Sequence, residues 1–490
     1  MLSGTAAIAL SIAQPASAIV INDQVAAAFG GAANYYDAGN QYPNVVSLFG
    51  SGPETGSSCT GSLINSRTIV TAAHCFNPQR FGIPSISFAT TSSPGAAITS
   101  FVRHPDFIPG ANPSVENDIA VISLAQPVNV RSVAPAKLLM LQPGQPGFPT
   151  VGTTITMVGY GAFGTGSAPP TIWRPAEGHP MEPEPPGVVF QVPFDGRRRV
   201  ATSSLGLYGV PSYFTDVDQP FFVSQFRNPL SPNNPNLFNL QVPTTPLEGG
   251  TAGGDSGGPL FAEIGGQLIQ IGVVRGGAPQ STAYCRPPQE ENALPCAQDM
   301  RPGTGVVGFV DRDGYGEFSD WTPINLFLQW INENNPLRQV TAKAGNFGWS
   351  NPLAWNDPFT DPANPNGAVP NNTREPVSIA ANQPVRYYDV TLSNPGTITL
   401  DMNPQIDNLS IMGPQSQLII GAPFTLEVLL DTRLSAGALT MLPGGILATG
   451  NYTQTGGLLQ FQLAPGGASG RVMVASTATL GGTLGVTMAP

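Results

Sequence analysis

The chain has 490 residues, and size alone predicts more than one domain. Charged residues make up 10% of the sequence, whereas glycine (57) and proline (51) are abundant, a composition that favours short strands and turns. The formal charge of −11 and the lack of a long basic run argue against nucleic acid as a partner. No apolar stretch reaches the roughly 18 residues that a membrane-spanning helix needs.

Residues 1–18 are interpreted as a signal peptide. An apolar run from Ala6 to Ala13 precedes Ala16-Ser17-Ala18, which has the small-residue pattern of a signal cleavage site. The basic residues that usually begin such a segment are missing. From the apolar run and the cleavage pattern we expect cleavage after Ala18 and a secreted or cell-surface location.

Three short motifs follow in the order histidine, aspartate, serine. They read TAAHC around His74, NDIA around Asp118 and GDSGGP around Ser256. A serine is a weak nucleophile until a neighbouring base takes its proton. A histidine can be that base, and a buried carboxylate can fix its tautomer. Taken alone, a His-Cys pair or a glycine-rich turn usually reflects packing, and an aspartate in NDIA could be a strand-end cap. The three motifs together predict nucleophilic catalysis.

The segment between Asp118 and Ser256 is rich in proline and carries two charged clusters. The triplet 197–199 (RRR) is expected to be a solvated face, and the Asp216-Val217-Asp218 sequence is expected to be a turn. Two carboxylates are too few for a calcium site, which needs roughly six to eight oxygens. No cluster has the spacing of a metal site, so no metal is predicted.

A helix is predicted after Thr322-Pro323. Ile324, Phe327, Leu328 and Ile331 have helical spacing, and the threonine and proline suit the N-cap and first helical positions.

Together these motifs resemble the trypsin/chymotrypsin family of serine proteases. The segment from Cys59 to Cys75, CTGSLINSRTIVTAAHC, matches the family without a gap, and the resemblance covers about residues 19–335. It implies an all-β, chymotrypsin-like double β-barrel with a short C-terminal helix, assigned here to residues 19–338. It also implies a secreted serine endopeptidase that acts on proteins or peptides through an acyl-enzyme and needs no cofactor.

The resemblance assigns roles to single residues. Ser256 is the expected nucleophile, His74 the base and acid, and Asp118 the group that orients His74. The backbone N–H groups of Gly254 and Ser256 are the expected oxyanion hole.

The resemblance also pairs Cys59 with Cys75 in a disulfide. Cys285 and Cys296 are left as a second predicted pair, with two free thiols as the alternative.

An N-terminal anchor is a further expectation from the resemblance. Cleavage after Ala18 would expose Ile19-Val20, and in the family such a terminus pairs with the aspartate before the nucleophile, here Asp255. The alternative is that Ile19-Val20 is simply a first strand.

The specificity pocket is expected to be neutral. Gly250 stands at its base, where enzymes that cut after lysine or arginine carry an aspartate, and Gly277 stands at its wall. Glu248 would change this if the loop is displaced. Arg275 aligns beside the expected position of Asp118.

From about residue 340 short alternating segments recur every 8 to 12 residues or so, with glycine-rich turns, which predicts stacked strands. Residues 339–490 resemble the β-helical passenger stalk of autotransporters. This resemblance implies a β-solenoid. We expect it to be a truncated stalk whose partner would be an outer-membrane translocator that is absent from this chain. A β-rich accessory or prodomain stalk is the alternative.

Three functions remain open at this point. The first is the endopeptidase, and the second is a catalytically inactive homologue that serves as a surface adhesin or binding module. The third is a periplasmic quality-control protease, although such proteases usually lack this cysteine frame and carry peptide-binding domains that are not seen in this sequence.

Overall fold

The structure is a computed structural model. It describes residues 19–28, 32–49, 58–76, 85–88, 97–108, 116–130, 132–166, 171–175, 196–211, 217–228, 238–278, 281–285, 308–312, 314–357, 369–374 and 385–488. The predicted signal peptide, Cys296 and Asp216 lie outside these residues.

The part of the chain before residue 337 is built mainly of strands. In chain order they are β1 (Ile19–Ile21), β2 (Val45–Phe49), β3 (Ser58–Asn65), β4 (Thr68–Thr71), β5 (Ser85–Phe88), β6 (Ile98–Arg103), β7 (Ala120–Leu124), β8 (Lys137–Leu138), β9 (Thr154–Gly159), β10 (Phe163–Thr165), β11 (Thr171–Pro175), β12 (Arg199–Gly209), β13 (Phe221–Gln225), β14 (Gly249–Gly250), β15 (Pro259–Ile264), β16 (Gln267–Ala278), β17 (Ser281–Cys285), β18 (Gly308–Arg312) and β19 (Phe318–Pro323). The helices are α1 (Asp23–Ala28) and α2 (Leu328–Asn334), with 3₁₀ turns at Ala32–Tyr35, Ala73–Phe76 and Ile324–Leu326.

Two antiparallel sheets form the halves of this region. The first has the order β5-β2-β3-β4-β7-β6. The second has the order β15-β9-β12-β13-β19-β16-β8, and an additional β15–β16 pairing closes it into a barrel. The predicted all-β class with chymotrypsin-like barrels is confirmed.

The predicted helix after Thr322 is only partly correct. Pro323 ends strand β19 and caps a 3₁₀ turn, and α2 begins at Leu328. The apolar positions do face inward, since Ile324, Phe327 and Ile331 are buried against the first sheet.

The second part of the chain is a stack of parallel strands. They are β20 (Leu337–Ala342), β21 (Gly345–Gly348), β22 (Trp355–Asn356), β23 (Tyr387–Leu392), β24 (Gly396–Thr399), β25 (Gln405–Ile406), β26 (Asn408–Ile411), β27 (Ser416–Ile420), β28 (Thr425–Leu434), β29 (Ala438–Met441), β30 (Ile446–Gln454), β31 (Leu458–Leu463), β32 (Arg471–Val474), β33 (Ala478–Thr479) and β34 (Thr483–Met488). A 3₁₀ turn, Pro352–Ala354, precedes β22.

Successive coils of this stack place one strand in each of two sheets, so the region is a β-solenoid, as predicted. One sheet runs β20-β23-β26-β28-β30-β32 and the other β21-β24-β27-β29-β31-β34. The register aligns Ile398, Leu418, Leu439 and Leu459 into one buried ladder. Each such side chain stabilises the fold by about 1.5–3 kcal/mol when it leaves water. The domain boundary predicted after residue 338 falls inside β20.

The two parts meet through a buried ion pair. Both oxygens of Asp407, in the solenoid, accept hydrogen bonds at 2.6 Å from Nε and Nη2 of Arg67, in the turn between β3 and β4. The two side chains are 1% and 0% exposed. Asn335, at the junction, accepts hydrogen bonds from Asn65 at 3.1 Å and from Thr68 at 2.7 Å.

The expectation of a solvated arginine triplet is wrong for two of its members. Arg198 is buried and pairs with Asp37 at 2.6 Å. Arg199 is buried with its guanidinium over the rings of Tyr36 and Phe163.

No helix among the described residues is long and apolar enough to cross a membrane.

Asp389, in the solenoid strand β23, is expected to make the stability of the fold depend on pH. Burial raises the pKa of Asp389 from 3.8 to about 7, with Asp407 adding to the rise and the Asn408 amide and Arg67 opposing it. A carboxyl group whose pKa is higher in the folded state stabilises the fold when protonated, so this contribution is lost as the pH rises towards and through 7.

We expect Asp389→Asn, which keeps the acceptor for the Asn408 amide 2.7 Å away, to be more stable than wild type at about pH 8. The difference should shrink towards about pH 5, as measured by denaturant unfolding across this range. Glu427→Gln, at an exposed solenoid carboxylate, is the control. A wild-type-like pH profile for Asp389→Asn would contradict this account.

Candidate active site

His74 is held at the end of a disulfide-stapled strand pair. Strand β4 ends at Thr71, and His74 lies in the 3₁₀ turn that follows. Cys59 in β3 and Cys75 form the predicted disulfide, with an S–S distance of 2.05 Å. His74 is therefore fixed on both sides along the chain.

Asp118 and His74 are in direct contact. The two histidine donors meet the two carboxylate oxygens, since the backbone N–H donates to Oδ1 at 2.9 Å and ring Nδ1 lies 2.6 Å from Oδ2. The Asp118 side chain is 1% exposed and that of His74 is 34% exposed. A proton on Nδ1 would leave Nε2, the other ring nitrogen, as an acceptor.

The Ser256 loop lies against the same strand pair. The Ser256 carbonyl accepts a hydrogen bond from the Thr60 N–H at 2.7 Å and lies 3.7 Å from Cys75 Sγ. The Thr60 hydroxyl donates to the Gly254 carbonyl at 3.1 Å. The main chain of Ser256 is thus brought next to the residue that follows His74. In this structure, no hydrogen bond between described atoms joins the Ser256 hydroxyl to the His74 ring.

The same loop presents two unused backbone donors. Neither the Gly254 N–H nor the Ser256 N–H has a hydrogen-bond acceptor among the described residues. The surrounding donors are used, because Asp255 N–H donates to Ala252 O at 3.0 Å and Gly257 N–H donates to Val274 O at 2.8 Å. An anionic oxygen placed at this turn would find donors that cost no reorganisation.

Asp255 is buried and ties the loop to the second barrel. Its Oδ1 accepts from Gly161 N–H at 2.8 Å and its Oδ2 from Ala252 N–H at 2.9 Å, and it has further contacts. A Cβ on Gly159 would lie 2.0 Å from Oδ1, so glycine is required there for this close approach.

Ile19 lies in a strand, as the alternative expectation proposed. Strand β1 is buried between β10 and β14, with Ile19 beside Phe163 and Val20 beside Gly250. Phe163 is two residues from the Gly161 that donates to Asp255. In the uncleaved chain Ile19 is bonded to Ala18, so an α-amino group exists there only after cleavage.

Two buried tyrosines hold the chain just after β1. The Tyr35 hydroxyl accepts from Asn22 N–H at 3.3 Å and donates to Glu248 O at 3.1 Å. The Tyr315 hydroxyl donates to Asn22 Oδ1 at 3.3 Å. Burial raises the pKa of both hydroxyls, which keeps them protonated and able to donate.

Gly250 and Gly277, the two glycines predicted for the specificity pocket, both lie near a residue that the sequence reasoning missed. Ser319 pairs with Gly277 in the sheet, and its hydroxyl accepts from the N–H of Thr251, next to Gly250. A second missed residue is Glu317, which is 2% exposed and has Oε1 3.3 Å from where a Gly250 Cβ would lie. No sequence motif marks either residue, because both approach from a distant strand.

Two charged residues from the sequence analysis, Glu248 and Arg275, are each paired with a side chain of opposite charge. Glu248 is buried and accepts from Arg227 Nε at 3.3 Å and Thr245 N–H at 2.7 Å. Arg275 forms a two-pronged pair with buried Asp320, both contacts at 2.6 Å. The arginine expected near Asp118 is therefore already neutralised by another carboxylate.

The second predicted disulfide lies partly outside the described residues. Cys285 ends β17, but its predicted partner Cys296 lies outside the described residues. Among described residues, Cys59, His74 and Cys75 cluster at metal-binding distances, but the disulfide removes the thiolates such a site would use. The His104 side chain is 13% exposed and packs against Phe327 and Trp330.

Part of the chain is similar to known proteases. The sequence model of the Trypsin family matches residues 33–174. That segment carries the trypsin-family pattern. Trypsin alpha-4 of Lucilia cuprina is 30% identical over 139 residues, which is 28% of this chain and 50% of that protein. Tryptase of Mus musculus is 24% identical over 307 residues, 61% of this chain and 86% of that protein. The chain thus spans only half the length of the first of these relatives.

Among solved structures, neuropsin, a serine protease expressed in the limbic system of mouse brain, aligns with a TM-score of 0.37 and 17% identity. The alignment covers 61% of this chain and 97% of that one.

Two matched glycine substitutions test whether the Ser256 loop packs against β3 and β4. Gly257 has φ of 81°, and a Cβ there would lie 2.0 Å from Thr71 Oγ1 and 2.3 Å from Thr60 O. Gly265 has φ of 60°, with open space around its Cβ. Gly265→Ala should cost about 1–2 kcal/mol from the backbone alone.

Gly257→Ala should cost clearly more than Gly265→Ala, because the loop must also move away from β3 and β4. Thermal and denaturant unfolding of both variants measures the difference. Equal losses of stability would show that the loop does not sit against these strands.

Proposed function

We propose that the chain is a serine endopeptidase that hydrolyses peptide bonds in proteins or peptides through an acyl-enzyme. The observation that carries the proposal is the two-point contact of His74 with buried Asp118, next to a loop that offers Ser256 and two unpaired N–H groups. The trypsin-family match over residues 33–174 supports the same reaction class.

Each residue has one role in the proposed reaction. Asp118 keeps the proton on Nδ1, which leaves Nε2 to take the Ser256 proton as its oxygen attacks the carbonyl carbon. The oxyanion that forms accepts hydrogen bonds from Gly254 and Ser256 N–H. His74 then gives its proton to the leaving amine, and water repeats the sequence on the acyl-enzyme.

The second candidate is a catalytically inactive homologue that acts as a surface adhesin or binding module. It is favoured by the missing hydrogen bond between the Ser256 hydroxyl and the His74 ring. Catalytic hydrogen bonds are often long without substrate and tighten when it binds. The protease therefore remains the better-supported proposal.

Labelling with a fluorophosphonate separates the two candidates. We expect wild type to be labelled at Ser256 and Ser256→Ala to lose both labelling and peptidase activity. Ser132→Ala, at an exposed hydroxyl away from the site, should behave as wild type. Asp118→Asn should lower kcat by on the order of 10⁴, because the wrong histidine tautomer is then held. A folded wild-type chain that takes no label would favour the binding module.

We also propose export, with Ile19 as the mature N-terminus and its α-amino group paired with Asp255. The burial of β1 between β10 and β14 supports this position. A disulfide at Cys59–Cys75 is typical of an oxidising compartment. In this proposal the solenoid displays the protease at a bacterial surface, with a translocator as a separate partner.

N-terminal sequencing of active secreted protein tests the proposed terminus. We expect it to begin at Ile19, and Asp255→Asn should lower activity while leaving secretion unchanged. Full activity in a form that begins well after Ile19 would contradict the anchor without affecting the triad.

The proposed pocket is neutral, so apolar or small residues are expected before the scissile bond. Buried Glu317 is the residue that could change this preference. A cleavage profile on a peptide library, repeated with Glu317→Gln, is the measurement. A lysine or arginine preference that disappears in this variant would contradict the neutral pocket.

A further inference from the structure

We propose that the solenoid forms part of the support of the catalytic strands, and that Arg67 is the positioning residue through which it acts. The inference rests on the protease function proposed above. It adds a role for the second part of the chain, which neither the motifs nor the family match assigns.

Arg67 binds the end of β7, the strand that follows Asp118 in the chain. Its Nη1 donates to the carbonyls of Leu124 at 3.2 Å and Ala125 at 2.5 Å, where β7 ends. The Leu124 N–H donates back to the Arg67 carbonyl at 2.8 Å. The guanidinium therefore fixes the end of β7 relative to the start of β4.

The opposite ends of these two strands hold the proposed catalytic pair. Strands β4 and β7 are hydrogen-bonded from Thr68–Ser123 to Thr71–Ala120. Beyond those ends His74 follows Thr71 by three residues, and Asp118 precedes Ala120 by two. A four-residue strand spans only about 13 Å, so a shift at Arg67 has a short and rigid route to the site.

The solenoid determines where the guanidinium sits. Asp407 binds it with both oxygens at 2.6 Å, and the Tyr387 ring centroid lies 3.8 Å from Cζ. Asn372 donates to Asp407 Oδ1 at 2.8 Å and so fixes the carboxylate. A two-pronged arginine–carboxylate pair specifies orientation as well as distance.

Removing one partner of a buried pair leaves an uncompensated charge. In Asp407→Asn the Arg67 guanidinium loses its carboxylate partner and hydrogen-bonds to water or another acceptor instead. This change weakens its hydrogen bonds to the Leu124 and Ala125 carbonyls. A displacement of about 1 Å at reacting groups can cost a factor of roughly 10² in rate.

The test compares Asp407→Asn with Glu427→Gln in the full chain. Glu427 is a solenoid carboxylate, 44% exposed, that lies 4.0 Å from Arg374 and accepts a hydrogen bond from Gln405 at 2.9 Å. Glu427→Gln therefore removes the same charge, keeps an acceptor for Gln405 and leaves Arg67 and Asp407 in place. Two readouts are measured: the rate of Ser256 acylation by a fluorophosphonate as a function of pH, and the proton resonance of His74 Nδ1. The resonance reports the His74–Asp118 hydrogen bond whether or not the chain is active.

For Asp407→Asn we expect acylation slowed by about tenfold or more, with an altered pH profile and a displaced Nδ1 resonance. Glu427→Gln should stay within about twofold of wild type, as is usual for an exposed pair. A folded Asp407→Asn with wild-type acylation and resonance would overturn the proposal. So would a loss of stability alone with both readouts unchanged, because that is all a purely structural role requires.

If Asp407→Asn does not fold, Arg67→Lys replaces it, since lysine keeps the charge but not the fork. A partial loss in both readouts supports positioning, and wild-type values overturn it. If wild type takes no label, the protease proposal fails on its own. The Nδ1 resonance then still decides whether the solenoid positions His74.

Discussion

A carboxylate that leaves water must find hydrogen-bond donors or a cation, and this chain satisfies that requirement repeatedly with few charges. Asp118, Asp255, Asp320 and Asp407 are each 1% exposed or less. Each is held by donors from a distant part of the sequence, and each contact fixes the relative position of two elements. The His74–Asp118 contact, the Ser256 loop and the junction of the two parts therefore all depend on buried acids.

This dependence explains why the site can be assembled from separate barrels. His74 and Asp118 come from the first sheet, whereas Ser256 follows the short strand β14 and precedes β15 of the second. The Thr60 hydroxyl joins them through the Gly254 carbonyl, and the main chain joins them through the Thr60 N–H and the Ser256 carbonyl. A backbone contact of this kind is insensitive to most side-chain substitutions, but it demands glycine where strands approach too closely for a Cβ.

Sequence reasoning reached the residues that sit inside short local patterns. The three motifs around His74, Asp118 and Ser256 could be read because neighbouring residue types specify each turn. The solenoid could be read from its alternation and glycine turns. The start of α2 could not be placed, because the fixed φ of a proline suits either a strand end or a first helical residue, and only the structure shows that Pro323 is extended, with ψ of 126°.

Long-range pairings could not be predicted in the same way. Arg67 and Asp407 are 340 positions apart, and neither lies in a recognisable pattern. Arg198 and Arg199 were expected to be solvated because a charge run usually is, yet an acid and two aromatic rings elsewhere in the chain bury them. Ser319 binds Thr251, and Glu317 lies beside the position of a Gly250 Cβ, although both are more than 60 positions away in sequence.

The bidentate pair at the junction also has a mechanical consequence. A solenoid joined to a barrel only by its connecting peptide would swing under load and transmit little force. Here tension on the coils is shared between the peptide at Asn335 and the Arg67–Asp407 fork, which ends on strands β4 and β7. Traction on the solenoid would thus be transmitted to the β3–β4 hairpin, which His74 follows.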